Sequence, residues 1–409
     1  MSEPGTAKGI SRRRFLHLAG AAAGTFALPS GLLAFGPKEN SFTSKRMNIK
    51  VMLPSSRLYP RMSGSYFDGM KLGIDRCMAG RECPELVKED IAHVVPREQF
   101  KAAAGEKTLD LITGLFNARV ASGLSLPSAG AEIPFVASSV GESMISGRRK
   151  DAPAVHSLNY WQANWAMGRW AAQHLGKRAF IASSFYESGF DGIYAFRLGF
   201  ESSGGRILGT GISHMPGSPA LSDILKEAGR LRPDFIYALY CGREAAEFIA
   251  GYASSGLSAR VPLAGSPFMT DESVLEKTGP AAAGIKTCFP WAVTLDTTEN
   301  KEFVASFTRK TGRRPDAFAL LGYETAGLIA SATGQPRFAE ALRESRFSGP
   351  RGVVTLADKT VPDSMFLREV RTSGGRMVNI ILSQVEADCP VSGQTAGTRS
   401  GWVNPYLCA

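Results

Sequence analysis

From residue 48 onward, short apolar runs alternate with longer runs of helical spacing, and loops of Gly, Pro and Ser separate them. The runs at 48–53, 109–113, 133–137, 179–182, 206–213, 235–240, 261–264 and 284–291 read as strands. Those at 65–78, 163–175, 192–202, 221–231, 243–255, 300–311 and 316–332 read as helices. In 65–78, for example, Phe67, Met70, Leu72 and Ile74 fall largely on one side. Strand–helix alternation of this kind leaves little choice beyond α/β, with doubly wound parallel sheets and right-handed crossovers. A chain of 409 residues is too long for one core and suits two domains. In open α/β sheets ligands sit beyond the carboxyl ends of the strands. That rule draws attention to 114–119, 138–142, 185–189, 241–244 and 266–270.

The net charge of +10 raises the question of a polyanion partner. Half of it lies in residues 1–46, where seven basic groups face two acidic ones. The other half is spread over the long remainder, so no nucleic-acid footprint is expected; Arg148-Arg149-Lys150 and Arg313-Arg314 read as solvated loops.

The basic start has its own meaning. Ser11-Arg12-Arg13-Arg14-Phe15-Leu16, followed by the mildly apolar small-residue stretch 17–35, resembles a twin-arginine export signal. Gly20, Gly24, Pro29 and Gly31 would make a poor core helix. The resemblance implies the twin-arginine translocase as a partner, cleavage after Ala27 or Ala34, and a mature protein in the periplasm. In such an oxidising compartment disulfides become possible. Cys389 and Cys408 bracket a Gly/Ser/Thr-rich tail, and Cys77 and Cys83 lie six residues apart. Both pairs are expected to bridge, whereas Cys241 and Cys288, in apolar runs, are expected as buried thiols. With no Cys-x-x-Cys and five scattered histidines, neither a metal site nor a cofactor is expected.

Several segments, in this order, resemble type I periplasmic binding proteins, above all the leucine/isoleucine/valine-binding proteins of ABC transporters. They are Lys50-Val51-Met52-Leu53-Pro54, Phe67-Asp68-Gly69-Met70-Lys71-Leu72, the loop at Gly114, Ile133-Pro134-Phe135-Val136-Ala137-Ser138-Ser139, Arg232-Pro233-Asp234-Phe235-Ile236-Tyr237 and Gly322-Tyr323-Glu324-Thr325-Ala326. The resemblance implies two doubly wound parallel-sheet lobes joined by three hinge crossovers. Lobe one would be 47–158 plus 292–357, lobe two 159–291 plus 358–385, with 1–46 a signal and linker and 386–409 a tail. It also implies an ABC transporter substrate-binding protein that hands a small organic solute to an ABC permease. The alternative is a ligand-sensing or scaffolding member of the same fold without a permease. No catalysis is expected: Gly217-Ser218 and Gly265-Ser266 do not complete Gly-x-Ser-x-Gly, and no Walker A or Gly-x-Gly-x-x-Gly follows a strand.

Carried over by position, the ligand-binding residues would be Tyr59, Asn117, Ala118, Ser138, Ser139, Val140, Gly141, Tyr160, Asn164, Ser188, Gly242, Pro267 and Phe268. Arg119 could add bidentate grip on an acid. Ala118 and Gly141 stand where hydroxyl residues hold the carboxylate in amino-acid binders. Pro267 and Asn164 stand near the positions of their ammonium-binding carboxylates. An ammonium without a counter-charge is costly to bury. The expected ligand is therefore an organic acid, an aromatic-compatible solute or an amino-acid derivative, with Glu187 or Glu244 as the substitutes that would restore an α-amino acid.

Overall fold

The computed structural model describes residues 46–91, 97–117, 121, 133–141, 154–188, 191–215, 217–356 and 364–387. Arg12 and Arg13, Ala118, Arg119, Cys389 and Cys408 lie outside these residues.

Two sheets organise the chain. The first comprises β1 (Asn48–Pro54), β2 (Glu85–Ile91), β3 (Leu111–Leu115), β4 (Phe135–Ser139) and β5 (Ala154–Ser157) in the order β2-β1-β3-β4-β5, with every pairing parallel. Strands β1, β3 and β4 have neighbours on both sides and are buried along nearly their whole length, which is why they read as unbroken apolar runs. Strand β2 is an edge. Its sequence ELVKEDI is mostly charged and half open to solvent, so no apolar run announces it.

The second sheet comprises β6 (Arg178–Ser184), β7 (Arg206–Ser213), β8 (Phe235–Leu239), β9 (Leu263–Gly265), β10 (Lys286–Phe289), β13 (Met365–Ser373) and β14 (Arg376–Val385). Its order is β14-β13-β10-β9-β8-β6-β7. The first five strands pair in parallel, but β10–β13 and β13–β14 are antiparallel. The second sheet is thus mixed where a parallel sheet was expected. The β13–β14 pair has a local cause: Gly374 and Gly375, both at positive φ, form a two-residue turn that folds β14 straight back on β13. A small hairpin, β11 (Arg346–Gly349) with β12 (Gly352–Thr355), packs on the Ala317–Ala332 helix.

The chain leaves the first sheet after β5, and the Tyr160–His174 helix opens the second. It returns after β10 to form the helices Thr298–Thr311 and Ala317–Ala332, then goes back for β13 and β14. The Ala317–Ala332 helix is locked to the Met62–Cys77 helix of the first sheet by close backbone approach. A Cβ on Gly69 would lie 2.1 Å from Ala319 O, and one on Gly322 would lie 2.0 Å from Tyr66 O. Only glycine admits that crossing.

Cys77 and Cys83 are free thiols, which corrects the pairing expected for them. Cys77 ends its helix half-buried, and the Cys83 sulfur faces the Arg81 carbonyl of its own loop. Cys241 and Cys288 are both buried. No helix among the described residues is long and apolar enough to cross a membrane.

Candidate functional site

Five aromatic rings from both sheets meet at the carboxyl ends of the strands. Tyr59 follows β1, Tyr160 opens its helix, Phe268 lies in the turn after β9, Phe289 ends β10, and Phe318 is in the first turn of the Ala317–Ala332 helix. Phe268 is the hub. Its ring stacks on Tyr160 (centroids 5.5 Å, planes 16° apart) and on Phe318 (5.8 Å, 3°). Phe289 lies tilted at 6.1 Å, and Tyr59 sets its edge against Phe268 and Phe318. All five are buried. Rings in stacked and edge-on arrangement add to the stabilisation that their buried area gives.

Polar groups border this wall. The Tyr160 hydroxyl donates to Glu187 Oε2, and Glu187 is fully buried. Burial first, and the Glu187 charge second, push the Tyr160 hydroxyl well above its ordinary pKa, so it stays a donor. The Tyr59 hydroxyl donates to Phe268 O at 3.4 Å. Arg368 is buried behind the Phe268 turn. Its Nη2 donates to Pro267 O (3.1 Å) and Thr287 Oγ1 (3.0 Å), its Nη1 donates to Trp291 O (2.9 Å), and its guanidinium lies 4.9 Å from the centroid of the Phe289 ring. Burial lowers its pKa to about 10, which leaves it charged at neutral pH. Arg368 therefore fixes the turn that carries Phe268.

On the first sheet, the residues expected to grip an acid are arranged differently from expectation. The Ser138 hydroxyl lies 2.8 Å from both Tyr66 OH and Thr325 Oγ1. Thr325 Oγ1 is 3.0 Å from His156 Nδ1, and His156 Nε2 is 3.1 Å from Glu324 Oε2. Arg351 donates to Glu324 and to Ser157 O. Ser138 is thus committed to a buried chain that ends on Arg351, and burial lowers the His156 pKa and keeps the ring neutral. The Ser139 hydroxyl accepts from Gly141 N at 3.1 Å, with Val140 buried between them. Tyr160 N donates to Val140 O and Trp161 N donates to Gly141 O, so this loop is stitched to the start of the next helix. Asn117 is buried at the end of β3.

Other expected site residues are engaged within the protein or lie in its turns. Asn164 uses both ends of its amide inside the protein: Nδ2 donates to Tyr160 O at 2.7 Å, and Oδ1 accepts from Tyr237 OH. Pro267 is buried, its carbonyl held by Arg368. Ser188 ends the helical turn Phe185–Ser188. Gly242 contacts the first-sheet side instead of facing open space. It sits at φ 51°, a Cβ there would lie 2.0 Å from Leu58 O, and Arg243 N donates to that same carbonyl at 3.2 Å. Nearby, Asp271 Oδ2 accepts from Ala317 N at 3.3 Å, beside Asp316, whose Oδ1 accepts from Ala319 N at 2.9 Å. Carboxylates from two parts of the chain thus cap one helix start.

Sequence reasoning missed Tyr66, His156, Phe289, Phe318, Arg351 and Arg368. One signal was present: Glu324-Thr325 sits inside the apolar run 317–332, where a charged residue needs buried partners.

The sequence profile of a family described as "Periplasmic binding protein" matches residues 64–376, and the chain belongs to that family. A curated relative, "Leu/Ile/Val-binding protein homolog 6" of Brucella melitensis, is 26% identical over 326 residues, covering 73% of this chain and 82% of the relative. Among solved structures, an ABC transporter solute-binding protein of R. palustris in complex with benzoate superposes with a TM-score of 0.71 at 25% identity, covering 84% of this chain and 98% of the other. A second, from Rhodopseudomonas palustris BisB5 in complex with 3,4-dihydroxybenzoic acid, has a TM-score of 0.71 at 21% identity, with 84% and 98% covered. The fold is that of the type I periplasmic binding proteins. The role is substrate binding rather than catalysis, and family members of ABC importers work in the periplasm.

Proposed function

We propose that this protein captures a small aromatic carboxylic acid between its two sheets and delivers it to an ABC permease. The observation that carries this reading is the wall in which Phe268 stacks between Tyr160 and Phe318, because rings from both sides of the molecule would enclose a flat ligand. The benzoate complex of the R. palustris protein supports the same class. The lobes are taken as 47–158 plus 292–357 and 159–291 plus 358–385, closing about the three crossovers. In this reading Tyr59, Tyr160 and Phe268 contact the ring, and Asn117 at the end of β3 lies on the carboxylate side.

A thermal-shift screen of aromatic acids, aliphatic acids and amino acids tests it. Ligand at a hundred times its Kd stabilises by about 2.7 kcal/mol. That is a rise of about 3–4 degrees in Tm for a chain of this size, at roughly 1.3 °C per kcal/mol. Aromatic acids should give the largest rise. A rise from leucine, isoleucine or valine with none from aromatic acids refutes the reading. Such a result would favour the second reading, an α-amino acid whose ammonium meets the buried Glu187 carboxylate.

Export by the twin-arginine translocase, with removal of the signal within 1–46, completes the proposal. Replacing Arg12 and Arg13 together with Lys should leave the precursor in the cytoplasm. Normal export of that double variant refutes the signal.

A further inference from the structure

Ser266 directly follows β9, at the carboxyl end of the second sheet. It is fully buried, and its Oγ has no hydrogen-bond partner among the described residues. Its backbone is nevertheless fully engaged: N donates to Ala238 O at 2.9 Å, and O accepts from Met269 N at 3.0 Å. The residue is therefore fixed in place while its hydroxyl is idle. It stands at the N-cap of the Pro267–Thr270 turn, where a Ser side chain usually accepts from the turn's N–H groups, yet no cap bond forms.

The strand register shows where that hydroxyl lies. Tyr237 pairs with Ala264 and Ala238 with Gly265, so Ser266 comes opposite Leu239. Alternation along β9 puts Ser266 on the face of Ala264, Tyr237 and Leu239. Those three belong to the same packed cluster as Tyr160 and Phe268. Gly265 faces the other way, toward Met269. Two residues after Ser266 comes Phe268, the hub of the aromatic wall. A buried hydroxyl that has given up water without gaining a partner is destabilising, and alanine would cost less there. Its presence makes sense when something else completes it.

We infer that the Ser266 hydroxyl is a specificity determinant: it receives a hydrogen-bonding ring substituent of the ligand, so the preferred ligand is a hydroxylated aromatic acid rather than an unsubstituted one. This rests on the aromatic-acid reading above. In that reading the carboxylate is held on the first-sheet side, and the far edge of the ring reaches the end of β9.

Calorimetric titration of wild type, Ser266→Ala and the near-isosteric Ser266→Cys with benzoate, 3-hydroxybenzoate and 4-hydroxybenzoate separates the possibilities. Wild type should bind one hydroxybenzoate about tenfold more tightly than benzoate, the worth of one well-made buried hydrogen bond. Ser266→Ala should bring the two within twofold, leave the benzoate Kd unchanged, and keep or raise the ligand-free Tm. The Cys variant serves the same purpose should the Ala variant fold poorly. A preference that survives in Ser266→Ala, an equal loss for all three acids, or a wild type that prefers benzoate each overturns the role of Ser266 while leaving the aromatic-acid reading intact. Failure of all three acids to bind wild type overturns both.

Discussion

Replacing Gly242 by Ala should weaken ligand binding without touching any ring of the aromatic wall. The new Cβ would lie 2.0 Å from Leu58 O, and ordinary contact begins near 3.4 Å, so the Leu58 carbonyl has to withdraw by about 1.4 Å. That movement breaks the 3.2 Å hydrogen bond from Arg243 N to the same carbonyl. The bond contributes about 1 kcal/mol net, and residual crowding brings the cost of the closed arrangement to about 1–2 kcal/mol. Under the proposed closing of the two lobes, the open arrangement, in which Leu58 and Gly242 part, bears none of this. The apparent Kd should therefore rise about 5- to 30-fold. Ala at φ 51° also carries a backbone penalty of about 1–2 kcal/mol. That penalty is the same in both arrangements and lowers Tm only. Gly256 isolates it, since it has φ 73° and open space where a Cβ would go. Gly256→Ala should lower Tm similarly and leave Kd unchanged. Calorimetric titration with the aromatic acid giving the largest thermal shift reads the affinities, and small-angle scattering reads the ligand-induced compaction. Wild-type affinity and compaction in Gly242→Ala would refute the assignment of this contact to closure.

Arg351→Met should lower stability by about 3 kcal/mol, because it leaves the Glu324 charge buried beside His156; denaturant unfolding that shows no loss would refute the buried chain as drawn. Stability should fall as pH rises from about 5 to 8. Burial raises the Asp316 carboxyl to about 7 and the Glu272 carboxyl to about 8, and the neighbouring Asp271 adds to both, so the folded chain binds protons there that the unfolded chain releases near pH 4. Glu272→Gln should flatten the upper part of that slope, and a Tm independent of pH over this range would count against it.

Much of the fold was legible because parallel strands buried on both faces leave unmixed apolar runs. The run at 235–240 covers β8, which is buried along its whole length, and the run at 221–231 matches the Leu221–Leu231 helix to the residue. What escaped lacked that signature. Strand β2 is an edge of charged residues, and β13 and β14 pair as a hairpin whose Gly374-Gly375 turn went unread. Of the five clustered rings, Tyr59, Tyr160 and Phe268 were among the expected residues, whereas Phe289 and Phe318 join them only through the fold. The hydroxyl at Ser138 was expected in a ligand loop; it lies within β4, and its bonds run to Tyr66 and Thr325, residues 72 and 187 positions away, which no local pattern encodes. Arg368 was invisible for the same reason, since its partners Pro267, Thr287 and Trp291 converge only in the fold.

The crossing of the Met62–Cys77 and Ala317–Ala332 helices has a consequence for biosynthesis. Ser65 Oγ donates to Asp316 Oδ2 across 251 residues of chain. At roughly 5–20 residues per second of translation, a nascent chain waits on the order of ten seconds or more between emergence of the first helix and arrival of its partner. During that interval Tyr66 and Met70, fully buried in the finished protein, have nothing to cover them. The first sheet is made first but receives this covering helix late. A transcript truncated before residue 317 yields a product that keeps this apolar face exposed, and such a product is a substrate for chaperones and proteases rather than a soluble half-molecule.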